Sequence, residues 1–381
     1  MMLPRLLVIS FSTIEADARV LKQLDRLSRD FEVHTVGYGA TPTGAASHVR
    51  VPDEYAIWKY DRMKVVSRRF KSAYWSNRAI TFAAQALQGT SWDVVLANDV
   101  DAVGLALAQD SAHGVHADLH EYAPRQKEDV VRWRVFVAPF VRWLCRRFVT
   151  RAASVTTVGE GIAAEYLREY GIRAEVVTNA APFAALTSGP VGTPVKLVHS
   201  GAALRDRNIL TILDAVQATT ANVTLDLYLT PNDLDFLAEV RARAAATDSI
   251  VLHDPVPYAQ LARVLNAYDV GIHVLPPVNF NNTWALPNKF FDYVQARLGV
   301  IIGPSPEMVR VLEEYGFGAV ADGFTAADLR RVLDRLGEDD VAVWKRAAHG
   351  AAPQLSGEQQ TEVWAQALRR LMESPRIRGE S

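Results

Sequence analysis

Short apolar runs alternate with longer stretches of helical spacing through the first half of the chain. Residues 6–9 read as a strand, and residues 16–29 place Val20, Leu21, Leu24 and Leu27 on one helical face. Further strands are expected at 32–37, 92–97, 115–119 and 154–158. Strands alternating with helices predict parallel βαβ units. The alternation breaks at Asn179-Ala180-Ala181-Pro182 and runs on through Gly189-Pro190, Gly192 and Pro194, a composition typical of linkers. It restarts at 195–199, with strands at 223–229, 249–252, 270–275 and 299–302. A last helix over 358–372 carries Val363, Trp364, Ala367, Leu368 and Leu371 on one face.

This pattern defines an α/β chain of two Rossmann-like, doubly wound domains. The first takes residues 1–180 and the second 195–355, with a linker at 181–194. Residues 356–381 form a helix that folds back over the first domain, and a tail. Ligands of such sheets bind beyond the carboxyl ends of the strands. A cleft between two such domains is then the expected site.

The chemistry-bearing residues cluster at strand ends. Gly201 follows the first strand of the second domain, with Arg205 and Arg207 in the loop behind it. A glycine turn, free backbone N–H groups and guanidinium groups suit an anion, and Arg207 lies closer to the next helix. Lys289 and Asp292 stand three apart on an expected helix that Asn288 helps to start. They read either as a surface ion pair or as a cation for a diphosphate and a carboxylate for a ribose diol. In the first domain, His120 and Glu121 follow a strand end, Asn98 and Asp99 end another, and Asp17 and Arg19 follow the first. Asp17, Asn98 and Asp99 also suit helix caps.

Composition narrows the classes. The chain has 381 residues, 49% hydrophobic and 22% charged, with a net charge of -2. This is a globular composition without the basic balance of a nucleic-acid binder. The single cysteine, Cys145, allows no intrachain disulfide and fits a cytoplasmic setting. No metal centre is expected from the nine histidines. The first apolar run is short for a secretory segment, and no run of 18 apolar residues reads as a membrane span. Two basic–aromatic stretches, 58–75 and 132–151, read either as half-buried helices or as helices lying on an anionic membrane surface.

Taken in order, these residues resemble the retaining GT-B glycosyltransferases called family 4, over about residues 5–372. The resemblance rests on several segments. They are Asp17-Ala18-Arg19-Val20, Asn98-Asp99, Asp118-Leu119-His120-Glu121, Val158-Gly159-Glu160-Gly161-Ile162, Val176-Val177-Thr178-Asn179, His199-Ser200-Gly201 with Arg207-Asn208, and Leu286-Pro287-Asn288-Lys289-Phe290-Phe291-Asp292-Tyr293.

The resemblance implies transfer of a sugar, with retained configuration, from a nucleotide-diphosphate sugar to an acceptor hydroxyl. It implies no cofactor and no metal. A UDP-sugar is the expected donor, with GDP- and TDP-sugars as alternatives. The acceptor is a glycan, a lipid-linked glycan, a polysaccharide or a small molecule. Arg207 and Lys289 map onto the phosphate clamp, Asp292 onto the ribose carboxylate, and His120 onto a histidine near the transferred sugar. The segment Asp254-Pro255-Val256 resembles the loop that meets the nucleobase.

Three departures stand out. Trp284 occupies the position eight before Asp292, where the family often has glutamate, which leaves sugar contacts to Asn281 or Asn282. Ala202 stands where the clamp's first arginine is usual, with Arg205 as a substitute. The loop Ser10-Phe11-Ser12-Thr13 lacks the frequent glycines. Asp17, Arg19, Asn98, Asp99 and Glu121 belong to the acceptor side in this reading. A nucleotide-sugar epimerase and a non-catalytic nucleotide-binding homologue on the same fold are the competing readings.

Overall fold

The computed structural model describes residues 3–375, so the end of the expected tail, 376–381, lies outside the described residues. The chain forms two compact units. The first takes the described residues up to Thr178, the three residues Asn279–Asn281 and those from Gln360 onward. The second takes Asn179–Val278 and Asn282–Gln359.

The first unit holds β1 (Arg5–Thr13), β2 (Glu32–Tyr38), β3 (Ser47–Arg50), β4 (Ser91–Trp92), β5 (Val94–Asn98), β6 (Asp110–Ser111), β7 (Val115–Leu119), β8 (Ser154–Thr157) and β9 (Ala174–Val176). Seven of them form a parallel sheet in the order β3-β2-β1-β5-β7-β8-β9, and β4 pairs with β6 alone. The second unit holds β10 (Val195–Ala202), β11 (Val223–Thr230), β12 (Ile250–His253), β13 (Val270–His273), β14 (Gly299–Ile302) and β15 (Gly318–Val320). They form a parallel sheet in the order β12-β11-β10-β13-β14-β15. In each sheet the strand order reverses once, between β1 and β5 and between β10 and β13. Such a switch point opens a crevice beyond the strand ends.

Parallel strands covered on both faces read as continuous apolar runs, and every residue of β5, β7, β13 and β14 is buried. Of the strands that sequence reading missed, β3, β9 and β15 lie at sheet edges and β6 pairs only with β4; none has a buried residue. The expected strand at 92–97 is instead broken at Asp93. That residue turns its carboxylate to the Arg5 backbone N–H (2.7 Å) and donates its own N–H to the Arg5 carbonyl (3.0 Å). The last helix, Gly357–Glu373, passes from the second unit into the first. There Ala365, Leu368 and Leu371 share a core with Leu6, Val8, Leu24 and Val33.

One contact fixes the crevice of the second sheet. The helix Asn288–Gln295 presses Tyr293 flat on Gly271, where a Cβ atom would lie 2.4 Å from the ring. Only a residue without a side chain admits this approach. β10 and β13 pair only at Leu197–Val270 and Val198–Gly271. Beyond that point the Tyr293 hydroxyl bridges them. It accepts from the Ser200 N–H (3.1 Å) and donates to the Ile272 carbonyl (3.4 Å).

Truncating the last helix's anchor tests the first core. Leu368 is fully buried, and Leu368→Ala should cost about 2–5 kcal/mol, read as a lower urea midpoint.

Candidate functional site

Beyond the splayed ends of β10 and β13 lies a cavity of about 610 Å³ contained within the second unit. Gly201, Arg207, Val256, Asn282, Asn288, Lys289 and Asp292, all singled out in the sequence, line it. Gly201 has φ +143°, a conformation that favours glycine, and a Cβ there would meet the Lys289 Nζ at 2.6 Å. The lysine therefore rests directly over the glycine backbone. Burial, then the neighbouring Arg207, lower the Lys289 pKa to about 7, with Asp292 pulling the other way. At the other end of the pair, the Tyr258 hydroxyl donates to Asp292 Oδ1 (3.1 Å).

Local structure departs from expectation in this loop. β10 continues through Gly201 to Ala202, and Arg207 closes a 3-10 turn, Arg205–Arg207, rather than opening the helix. Asn208 takes a left-handed conformation (φ 59°) before the helix Ile209–Ala218 starts. Arg205 does not take the place of the missing clamp arginine. It pairs with Glu239 (2.8 Å) and lies over the Phe236 ring (5.0 Å), outside the cavity lining. Asp254 is exposed and also outside the lining, which at this loop consists of Pro255 and Val256. Asn288 is the first residue of its helix, and the cap position is Pro287.

The first unit gathers a second group at the carboxyl ends of β5 and β7. His120 is held by three neighbours: Nδ1 lies 3.2 Å from Asp99 Oδ2, and Nε2 lies 3.0 Å from Asn98 Oδ1 and 3.3 Å from Asp118 Oδ2. Its backbone N–H donates to Asp99 Oδ1 (2.9 Å). Burial pulls the imidazolium pKa down, but Asp99 and Asp118 more than offset it, so His120 titrates above an ordinary histidine. Glu121 is pushed up to about 7 by burial and by Asp99, with His120 opposing. Asn281 belongs to this group rather than to the cavity. It accepts from the Tyr122 N–H (2.9 Å) and donates to Glu121 Oε2 (3.3 Å). Of the two asparagines weighed for the sugar, only Asn282 lines the cavity.

Asp118 organises this end of the sheet. It is fully buried and accepts from Arg19 Nε (2.7 Å), Arg19 Nη2 (2.7 Å), Gln23 Nε2 (2.7 Å) and Thr156 Oγ1 (2.6 Å). Burial pushes its carboxyl pKa up, but Arg19 and its other donors hold it well below the ordinary value. Arg19 is thus an internal support rather than an open contact for a ligand. Its third nitrogen donates to the Val177 carbonyl (2.9 Å), and its guanidinium lies over Trp364 (4.7 Å). Asp17 caps the helix Ala18–Leu27, accepting from the Arg19 and Val20 N–H groups.

Sequence reading passed over Tyr228, Tyr258 and His273, which also line the cavity. Asp118 and His273 had a visible signal: each is a polar residue inside an apolar run. His116 and His120 stand four apart but share no site, because the buried His116 ring sits between Ser154 (2.7 Å) and Thr156 (3.0 Å). No group of three metal-ligating side chains occurs among the described residues.

No family model and no curated protein matches this chain. Solved structures do. HepE of Anabaena, in complex with UDP and glucose, superposes with TM-score 0.69 at 12% identity, covering 96% of this chain and 100% of that one. Sucrose-phosphate synthase of Thermosynechococcus elongatus gives TM-score 0.71 at 12% identity, covering 97% and 99%. An α,α-trehalose-phosphate synthase (UDP-forming) of Burkholderia vietnamiensis gives 0.68 at 11%, covering 96% and 100%. At such identities the likeness defines the fold, which is that of the GT-B glycosyltransferases.

The Asp118 network yields a test. Asp118→Asn leaves Arg19 buried without its charge partner, which should cost about 3–5 kcal/mol. A depressed carboxyl pKa stabilises the fold above the ordinary carboxylate value of about 3.9 and loses that contribution as pH falls. The gap in urea midpoint between wild type and variant should therefore be full at pH 7 and shrink below about pH 4.

Proposed function

We propose that this protein is a retaining glycosyltransferase of the family 4 kind. It moves a hexosyl group from a nucleotide-diphosphate sugar to an acceptor hydroxyl on a glycan, a lipid-linked glycan or a polysaccharide. One observation carries the reading. Lys289 and Arg207 line one cavity at a sheet switch point, where burial and then the Arg207 charge lower the lysine's affinity for its proton. Two cations lining that cavity, Arg207 with Asp206 beside it (3.6 Å), fit a diphosphate, and the Tyr258–Asp292 pair beyond them fits a ribose diol. UDP is the preferred base carrier, as the HepE structure holds UDP and the trehalose-phosphate synthase is UDP-forming.

In the reaction, the bond from the anomeric carbon to the diphosphate oxygen breaks as the acceptor oxygen bonds to the same face of that carbon. The acceptor's proton passes to the departing phosphate oxygen. Charge builds on the diphosphate, where Lys289 and Arg207 stabilise it, so the step is metal-independent in this reading. His120 orients the sugar, and Glu121 meets the acceptor. Asp99, Asn98 and Asn281 shape the first unit's side of the chemistry.

The same proposal includes contact with an anionic membrane at the inner face. Residues 58–75 and 132–151 carry twelve Lys and Arg side chains against one carboxylate, Asp61, in a chain of net charge -2. Three adjoining depressions share Trp143 and are rimmed by Arg68, Arg69, Lys71, Arg142, Arg146, Arg147 and Arg151, with no carboxylate in their lining. Met63, Val66, Val131 and Val135 stand exposed nearby in sequence. Basic side chains with apolar tips suit the headgroup region of a bilayer. No helix among the described residues is long and apolar enough to cross a membrane.

Four measurements test these readings. Lys289→Ala or Arg207→Ala should lower kcat on the order of 10²–10³-fold, the usual effect of losing one contact to a developing oxyanion. Near-normal turnover in both would remove the clamp assignment. A panel of UDP, GDP and TDP should raise the wild-type melting temperature. Because Lys289 binds phosphate only when protonated, UDP affinity should be highest below pH 7 and weaken as pH rises past it. For the membrane, vesicles rich in phosphatidylglycerol should sediment the protein at low salt. Vesicles of phosphatidylcholine should not, and Arg68→Glu with Arg146→Glu should abolish the difference.

A further inference from the structure

His273 ends β13 within an otherwise apolar run and is 1% exposed. It nevertheless lines the cavity beside Ser200, Gly201, Arg207 and Lys289. Neither Nδ1 nor Nε2 has a hydrogen-bond partner. Buried polar atoms are satisfied in the great majority of cases, so two orphans on one ring call for an explanation. A ring kept for packing would be served as well by leucine.

The neighbouring strand repeats the pattern. His199 stands opposite on β10, its ring 6.4 Å from that of His273 and nearly parallel to it (23°). Its Nδ1 donates to the Ile272 carbonyl (2.8 Å), which fixes the tautomer and leaves Nε2 a bare acceptor, also without a partner. Burial and then Lys289 hold both rings neutral: His199 is lowered to about 3 and His273 well below its ordinary value. A neutral imidazole has one N–H to give.

We propose that His273 is a ligand-contacting residue of the cavity, donating its imidazole N–H to a phosphoryl oxygen of the diphosphate held by Lys289 and Arg207. The inference rests on the nucleotide-diphosphate reading above. Phosphate is the indicated partner because the cations nearest the ring attract an anion, and a phosphoryl oxygen accepts what the ring has to offer. The contact separates two classes of ligand. A nucleoside alone leaves the ring N–H unpaired, while a diphosphate satisfies it.

The test is calorimetric titration of wild type and His273→Leu with UDP and with uridine at pH 7, together with urea unfolding of each. Leucine removes both ring nitrogens at similar volume. UDP affinity is expected to fall about tenfold and uridine affinity to change less than twofold. The unfolding midpoint is expected to stay the same or rise, because two unsatisfied atoms are gone. Unchanged UDP affinity, or equal losses for UDP and uridine, overturns the inference while the nucleotide reading stands. Absence of wild-type binding to UDP, GDP and TDP overturns both. Should His273→Leu fail to fold, His273→Gln decides. It keeps an N–H donor and is expected to bind UDP within about threefold of wild type, and a larger loss overturns the assignment.

Discussion

A buried cation sets the terms for the second unit's cavity. Burial makes the protonated Lys289 costly, and the neighbouring Arg207 charge adds to that cost. Nothing in ordinary packing favours that arrangement. It persists because the surrounding structure positions the lysine, while Arg207 keeps Asp206 beside it (3.6 Å). Tyr293 pins the Asn288–Gln295 helix onto Gly271, and the absence of a side chain at Gly201 gives the Lys289 ammonium its place. Local instability of this kind, held in place by a rigid frame, is a familiar mark of functional sites.

The first unit uses the opposite device. Asp118 is surrounded by donors from Arg19, Gln23 and Thr156, and its charge is stabilised rather than exposed to conflict. The conflict is displaced outward, to Asp99, Glu121 and His120 at the ends of the strands. There Glu121 keeps its proton to about neutrality while His120 gains affinity for one. A strongly paired carboxylate below and a loosely held proton above form a graded arrangement along two adjacent strand ends.

Much of this fold follows from the period of apolar residues. Strands covered on both faces announce themselves, as at 115–119 and 299–302, where expected and observed bounds coincide. Edge strands such as β3 and β15 have no buried run to betray them. The cavity was legible where residue type implies chemistry, as with Gly201, Arg207, Lys289 and Asp292. Arg205 and Asp254 were misread because direction is invisible in sequence: one turns back to Glu239, the other stands outside the lining. Asn281 and Asn282 are adjacent, yet they belong to different units, a division that no spacing rule contains. His273 stood in view as the polar residue of an apolar run, yet the run as a whole reads as core.

The depressed basicity of Lys289 has one more consequence. An amine with a pKa of about 7 is roughly half unprotonated at neutral pH, and a free lone pair makes a nucleophile. Lys289 is therefore set up to react with acylating agents and aldehydes under conditions that spare an ordinary lysine. A reagent that joins an aldehyde to a phosphate would be drawn by Arg207 and captured by its neighbour. The burial that lowers the basicity of Lys289 thus also gives the cavity a chemical address, open to covalent labelling.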